Sequence, residues 1–302
     1  MNSIILSILS IYLFILIGYM AKKIFHEKID DKTITILNVY FLQVFLTFWG
    51  LLVRPVDITL LYAPSVYLLI VFLTLIIVVS FAHKLFSHKK EYSIAMVAGI
   101  IGNTANIGIP LNIAIFGEAS IPYATVVNLV NIFIVYTLGV YYYSRGSFNI
   151  KTSLLNIIKL PILWAAIIAI TLSAFHYKPN DAIMNMLMMG AYASITMQLI
   201  LFGIYLYGVK IREVNRVLIS WVVGFKFLIL PAIAFVVLSF LDLEPLIKGV
   251  VFIELLMPLA IANVNLASLY DCEPKTAATL VMITSLLFLG ILFIGLKLLQ
   301  YL

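Results

Sequence analysis

The sequence predicts an all-α integral membrane protein, and three observations carry that prediction. Of 302 residues, 64% are hydrophobic and 11% charged, with a mean hydropathy of +1.15, a balance far from that of soluble domains. The apolar residues gather into runs of about 20, the length that crosses about 30 Å of hydrocarbon. These runs are continuous rather than alternating, which excludes barrel strands, and a helix satisfies its backbone polar groups without water.

Ten such runs can be marked, at residues 4–20, 33–53, 64–86, 92–116 and 121–143, then 155–175, 184–208, 217–241, 249–270 and 277–299. The first is a retained helix and not a secretory signal: no basic residue precedes it, no small-residue cleavage site ends it, and its lysines come afterwards. Loops after odd-numbered runs hold fourteen basic residues: Lys22, Lys23, Lys28, Lys32, Lys84, Lys89, Lys90, Arg145, Lys151, Lys159, Lys210, Arg212, Arg216 and Lys275. Loops after even-numbered runs and the C-terminus hold four: Arg54, Lys178, Lys248 and Lys297. Basic loops stay in the cytoplasm, so both termini are expected outside. The net charge of +6 thus orients the chain in a bilayer rather than serving nucleic acid. The single Cys272 excludes an intramolecular disulfide, and an impermeant thiol reagent outside the cell is expected not to label it. Neither zinc-type Cys/His spacing nor a glycine-rich phosphate loop occurs. No metal or cofactor is expected.

Five runs, a short basic linker ("SRGSFNIKTS", 144–153) and five more give halves of opposite orientation if the halves are related. The expected organisation is therefore an inverted repeat, 1–145 and 146–302. The fourth and ninth runs occupy matching places and each carries a proline among polar residues: "GNTANIGIPLN" around Pro110 and "ELLMPLAIANVN" around Pro258. Interrupted spans in matching positions are the best sequence pointer to a carrier's binding site. Proline removes a donor and pushes the preceding residue out of the α region, so Ile109 and Met257 are expected to be extended. Each proline is expected to open a second half-helix whose positive end faces the membrane interior and favours an anion.

Asn103 and Asn106 lie three apart on one face, in a segment that also holds Thr104 and Gly108, and Asn263 and Asn265 follow Pro258. All four amides can donate to a carboxylate, or can satisfy backbone groups freed by the breaks. Two ionisable residues lie at membrane depth, Lys226 in "GFKFLILP" and Glu254 in "FIELLMP". Charges there are costly and face a cavity or a partner, so they are either an ion-coupling site or a static pair. Asn128 and Asn131 share a face of the fifth span and read as interhelical glue supporting the first break. "VYYYS", with Tyr141 to Tyr143, reads as interfacial belt.

"GNTANIGIPL" resembles the fourth-helix signature of the auxin efflux carrier family, and "MPLAIANVNLASLYDCEPKTAATLVMITSLL" resembles that family's ninth and tenth helices. "GYMAKK", "LILFGIYL" and the lysine before "LILP" extend the similarity to most of the chain. The resemblance implies ten helices in two inverted repeats with crossed, broken fourth and ninth helices, an architecture shared with bile-acid symporters and sodium/proton antiporters. It implies a scaffold of 1–53 and 155–208 and a transport domain of 64–143 and 217–302. It also implies a homodimer and an organic-anion substrate such as auxin or a dicarboxylate, with Asn103 on the substrate carboxylate beside Pro110 and Pro258. The short linker resembles that of prokaryotic members, which places the chain in a bacterial or archaeal cytoplasmic membrane. Many members carry a proline in the second and seventh helices where this chain has Thr47 and Thr196, so those helices are expected to run straighter.

The expected function is a secondary carrier for a small carboxylate-bearing anion, working by alternating access, with proton coupling, sodium coupling and uniport left open. The alternatives are a cation antiporter or sodium-coupled bile-acid-type carrier, although Asn128 and Asn131 stand where antiporters carry carboxylates, and a non-transporting sensor. An enzyme is disfavoured, because the spans hold no nucleophile-base pair.

Overall fold

The computed structural model describes residues 2–53, 58–144, 158–207 and 214–302, so Arg54, Arg145, Lys151, Lys210, Arg212 and the linker beyond Ser144 lie outside the described residues. Among those described, every regular element is helical, and strand-like pairing is confined to one bridge. Five helical stretches have the length and hydropathy of a membrane span: Thr33–Leu52, Ile58–Leu85, Glu118–Tyr143, Asp181–Tyr207 and Arg216–Phe240. Pro274–Phe288 and Gly290–Tyr301, bent by 56° at their junction, make a sixth if taken together. The expected fourth and ninth spans fall short because each is divided in two, and Pro161–Ala174, in the expected sixth, has 14 residues.

The chain falls into two compact units. The first comprises Met1–Tyr62, Ala105–Val126 and Ile157–Gly208. It contains α1 (Asn2–Phe25), α2 (Asp31–Leu37), α3 (Gln43–Leu52), α6 (Ile109–Phe116), the start of α7 (Ile121–Ile134), α9 (Pro161–Ala174) and α10 (Asp181–Tyr207). Its most extensive packing is α1 on α10, with α3 against both α9 and α10. The α1–α10 approach is set by glycine. A β-carbon on Gly18 would lie 1.9 Å from the Ile200 carbonyl oxygen, and one on Gly203 would lie 1.9 Å from that of Ile15. Small residues that let backbones touch replace the hydrophobic drive that lipid cannot supply between helices. A buried polar cluster joins α10 to the second span: Ser194 Oγ donates to Asn38 Oδ1 at 3.0 Å and accepts from Gln198 Nε2 at 3.0 Å. Asn38 opens a π turn, Asn38–Leu42, between α2 and α3. As expected from the absence of proline, α10 runs unbroken through Thr196, and Thr47 stays helical with its hydroxyl donating to the Gln43 carbonyl at 2.8 Å.

The second unit comprises Ala63–Thr104, Val127–Asn156 and Val209–Leu302. Here lie α4 (Tyr62–Leu85), α5 (Lys89–Val97), the remainder of α7, α8 (Val140–Tyr143), α11 (Arg216–Gly224), α12 (Leu230–Phe240), α13 (Pro245–Leu256), α14 (Ala262–Leu269) and α15 (Pro274–Leu298). α14 packs on α15 and α8, and α5 packs on α8 and α11. A π turn, Phe225–Ile229, links α11 to α12 just before Pro231, whose ring and missing N–H forbid an ordinary helical turn there.

Replacing Gly203 by Leu drives a side chain into the α1 backbone, which cannot give way. The expected result is a loss of about 3 kcal/mol or more of stability, read as a lowered unfolding midpoint of the purified protein in detergent. Gly290→Ala, which meets nothing within 4 Å, is expected to leave the midpoint unchanged.

Candidate functional site

The fourth span leaves the helix after Val97, through a turn at residues 98–100 to extended backbone at 101–103, and the ninth is interrupted from Met257 to Ile261. Both gaps are therefore real, but their positions correct the expectation. Pro110 lies seven residues beyond the first gap, in the opening turn of α6, and Ile109 before it is helical rather than extended. A proline so close to a helix start removes an N–H that has no helical partner anyway, so it need not mark the break. Pro258 stands inside the second gap and does not open α14, while Met257 is extended (φ −55°, ψ 143°) as expected.

The two gaps are sewn together. Gly102 and Leu259 form an antiparallel bridge, in which the Asn103 N–H donates to the Pro258 carbonyl at 2.8 Å and the Ala260 N–H to the Ile101 carbonyl at 3.0 Å. Side chains add further hydrogen bonds to the gap backbone. Asn131 Nδ2 donates to the Gly102 carbonyl at 2.9 Å, and Asn263 Nδ2 to the carbonyls of Ile101 and Ala260 at 3.1 and 2.9 Å. Thr284 Oγ1, on α15, accepts from the Leu259 N–H at 3.3 Å. Each capping asparagine is oriented by a tyrosine: Tyr67 donates to Asn131 Oδ1 at 3.3 Å and Tyr143 to Asn263 Oδ1 at 3.0 Å. Thr104 completes the first side, donating to Asn128 Oδ1 at 2.8 Å and accepting from Asn131 Nδ2 at 3.0 Å.

This accounting sorts the candidates. Asn131 and Asn263 are occupied with the backbone of the gaps, and Asn128 and Thr104 with each other. Asn265 is exposed. Asn106, Gly108 and Pro110 belong to the first unit, where Asn106 is half-buried and the Gly108 carbonyl accepts from Asn112 Nδ2 at 2.9 Å. Asn103 differs from all of them. It is 3% exposed, its N–H is used in the bridge, and its Nδ2 has no acceptor among the described residues. Lys226 and Glu254 are fully buried and interact electrostatically, yet Lys226 forms no ion pair or hydrogen bond among the described residues.

Tyr67, Tyr143 and Thr284 escaped the sequence reading. Tyr143 sits in the run taken as interfacial belt, but it is fully buried while Tyr141 is exposed. Helical phase against Tyr141 and Asn263 is the signal that separates them. No group of three or more His, Cys, Asp or Glu suited to a metal occurs among the described residues.

Interrupted spans stitched backbone to backbone around buried amides are the build of a membrane carrier. The chain belongs to the membrane transport protein family, the auxin efflux carriers, whose profile matches residues 3–294. It is also similar to the uncharacterized transporter MJ1031 of Methanocaldococcus jannaschii, with 26% identity over 299 residues, covering 92% of this chain and 93% of that one.

Removing the Asn263 side chain takes a second donor from the carbonyls of Ile101 and Ala260, which keep their backbone partners, and leaves the buried Tyr143 hydroxyl without its acceptor, a loss of about 1–3 kcal/mol. Asn263→Ala is therefore expected to lower the unfolding midpoint of the ligand-free protein by several degrees, whereas Asn103→Ala, which removes an unsatisfied donor, is expected to leave it unchanged or raise it.

Proposed function

We propose that the chain is a secondary carrier for small organic anions bearing a carboxylate, with auxin-like acids and dicarboxylates as the substrate class. The single observation that carries this reading is the Asn103 amide: a buried donor left without an acceptor where two interrupted helices meet. An unmade hydrogen bond in that setting is costly, and a carboxylate oxygen supplies the missing acceptor without requiring a cationic side chain. Breaks in matching places of two five-helix halves support the inverted-repeat reading, with 1–145 and 146–302 as the repeats.

The two compact units overlap the scaffold and transport domain proposed from the family, except that Ala105–Val126, expected in the transport domain, belongs to the first unit. On this reading the second unit, with its bridge, carries the substrate while the first holds the dimer in the membrane, an elevator-type alternating access. Gradients supply the energy.

Asn103→Ala is expected to raise KM for organic-acid uptake in proteoliposomes about tenfold to a hundredfold, the equivalent of one charge-assisted hydrogen bond. A panel of mono- and dicarboxylates under imposed proton and sodium gradients identifies the substrate, and an unchanged KM overturns the assignment.

The proposed setting is a bacterial or archaeal cytoplasmic membrane with both termini outside. Cys272 cannot report on this, because it is buried with its thiol against the Lys90 carbonyl and is shielded from either side. In a Cys272→Ala background, cysteine replacing the exposed Lys178 is expected to react with an impermeant maleimide on intact cells, and cysteine replacing the exposed Lys89 is expected to react after lysis. The reverse pattern inverts the topology.

A further inference from the structure

The bridge leaves one electrostatic problem to which the capping asparagines contribute nothing. Two helical segments end near it: α5, which ends at Val97 and is followed by a turn at residues 98–100, and α13, which ends at Leu256. Helix C-termini carry the negative end of the macrodipole and carbonyls without helical partners. Glu254 adds a carboxylate one turn from the end of α13, fully buried. Negative potential of this kind, deep in a bilayer, calls for a cation. In carriers with broken spans, half-helix C-termini and unwound carbonyls are where coupling sodium ions or protons are held.

The chain puts a cation of its own there. Lys226 is 1% exposed and is presented by the π turn Phe225–Ile229. Its Nζ reaches the bridge itself: a β-carbon built on Gly102 would lie 3.0 Å from that nitrogen, 3.7 Å from the Glu254 carbonyl oxygen and 3.7 Å from Met257 Cβ. Gly102 is thus the surface on which the ammonium rests, and a larger residue would displace it. The Glu254 carboxylate interacts electrostatically with Lys226, and Tyr67 is a further titratable group in electrostatic contact with it.

We infer that Lys226 is a tethered cation, occupying the position at the paired gaps that a dissociable metal cation would otherwise fill. The protein therefore binds no sodium there. If the carrier reading on which this consequence rests is right, organic-anion transport proceeds without a sodium gradient. Vacating the position opens space beside Gly102 for a small monovalent cation.

The test needs no substrate. Purified protein in detergent is unfolded thermally at constant ionic strength in choline, lithium, sodium or potassium chloride. The wild-type midpoint is expected to agree within about 1 °C across the four salts. Lys226→Ala is expected to unfold lower in choline and to recover by several degrees, saturably, in at least one alkali salt, while Lys226→Arg stays indifferent. Saturable stabilisation of the wild type by sodium overturns the inference, and so does indifference of Lys226→Ala to all three alkali ions. If Lys226→Ala does not fold, Lys226→Met keeps the apolar stem and takes its place, and the wild-type comparison stands by itself. A wild-type protein that moves no organic acid would sink the carrier reading and leave these midpoints untouched.

Discussion

A helix interrupted inside a bilayer exposes donors and acceptors that no water can reach, each costing several kcal/mol if left unpaired. The second unit depends on how that cost is met. Neither gap is viable alone. The carbonyl of Ile101 needs the Ala260 N–H, and the Asn103 N–H needs the carbonyl of Pro258, so each interruption supplies what the other lacks. Side chains then finish what the bridge leaves over. A donor amide serves each gap and a tyrosine hydroxyl fixes its orientation, Tyr67 with Asn131 and Tyr143 with Asn263. The two solutions are similar because both gaps pose the same physical problem.

Glycine and the π turn belong to the same solution. The bridge brings Gly102 against the end of the Lys226 side chain, where any β-carbon would intrude. The π turn at Phe225–Ile229 delivers that lysine, and another at Thr104–Gly108 delivers Thr104 to Asn128. A π turn redirects side chains by part of a turn without breaking the helix. Such a turn also lies just before Pro110 and Pro231. Proline here tunes the helices near the site and is not the sole cause of the gaps.

That distinction marks how far the sequence could be read. Membrane residence, helical class and the existence of breaks in the fourth and ninth spans were legible, because they follow from hydropathy, run length and two prolines in polar surroundings. The first break's position was not. Proline is visible in a sequence, but the backbone pairing that places the gap at Ile101 to Asn103 depends on a partner strand some 150 residues away and has no local signature. The asparagines illustrate the same limit. Asn103, Asn131 and Asn263 are one residue type in similar apolar settings, and their roles separate only when the partners of each amide are counted. Lys226 and Glu254 stood out because charge at membrane depth is expensive, but the closeness of the lysine to Gly102 in the first gap has no local signature.

The same accounting explains why one unsatisfied group persists among so many satisfied ones. A binding group whose hydrogen bonds are already made in the empty protein gains little from a ligand, since each new bond replaces an old one. Asn263, with both amide ends engaged, is such a group. Asn103, whose Nδ2 has no acceptor, holds the empty state at a cost of about 1–3 kcal/mol that an incoming acceptor removes. On the carrier reading proposed above, satisfied neighbours and one open donor work together: the more completely the surrounding frame is bonded, the more selectively the remaining amide answers to a ligand.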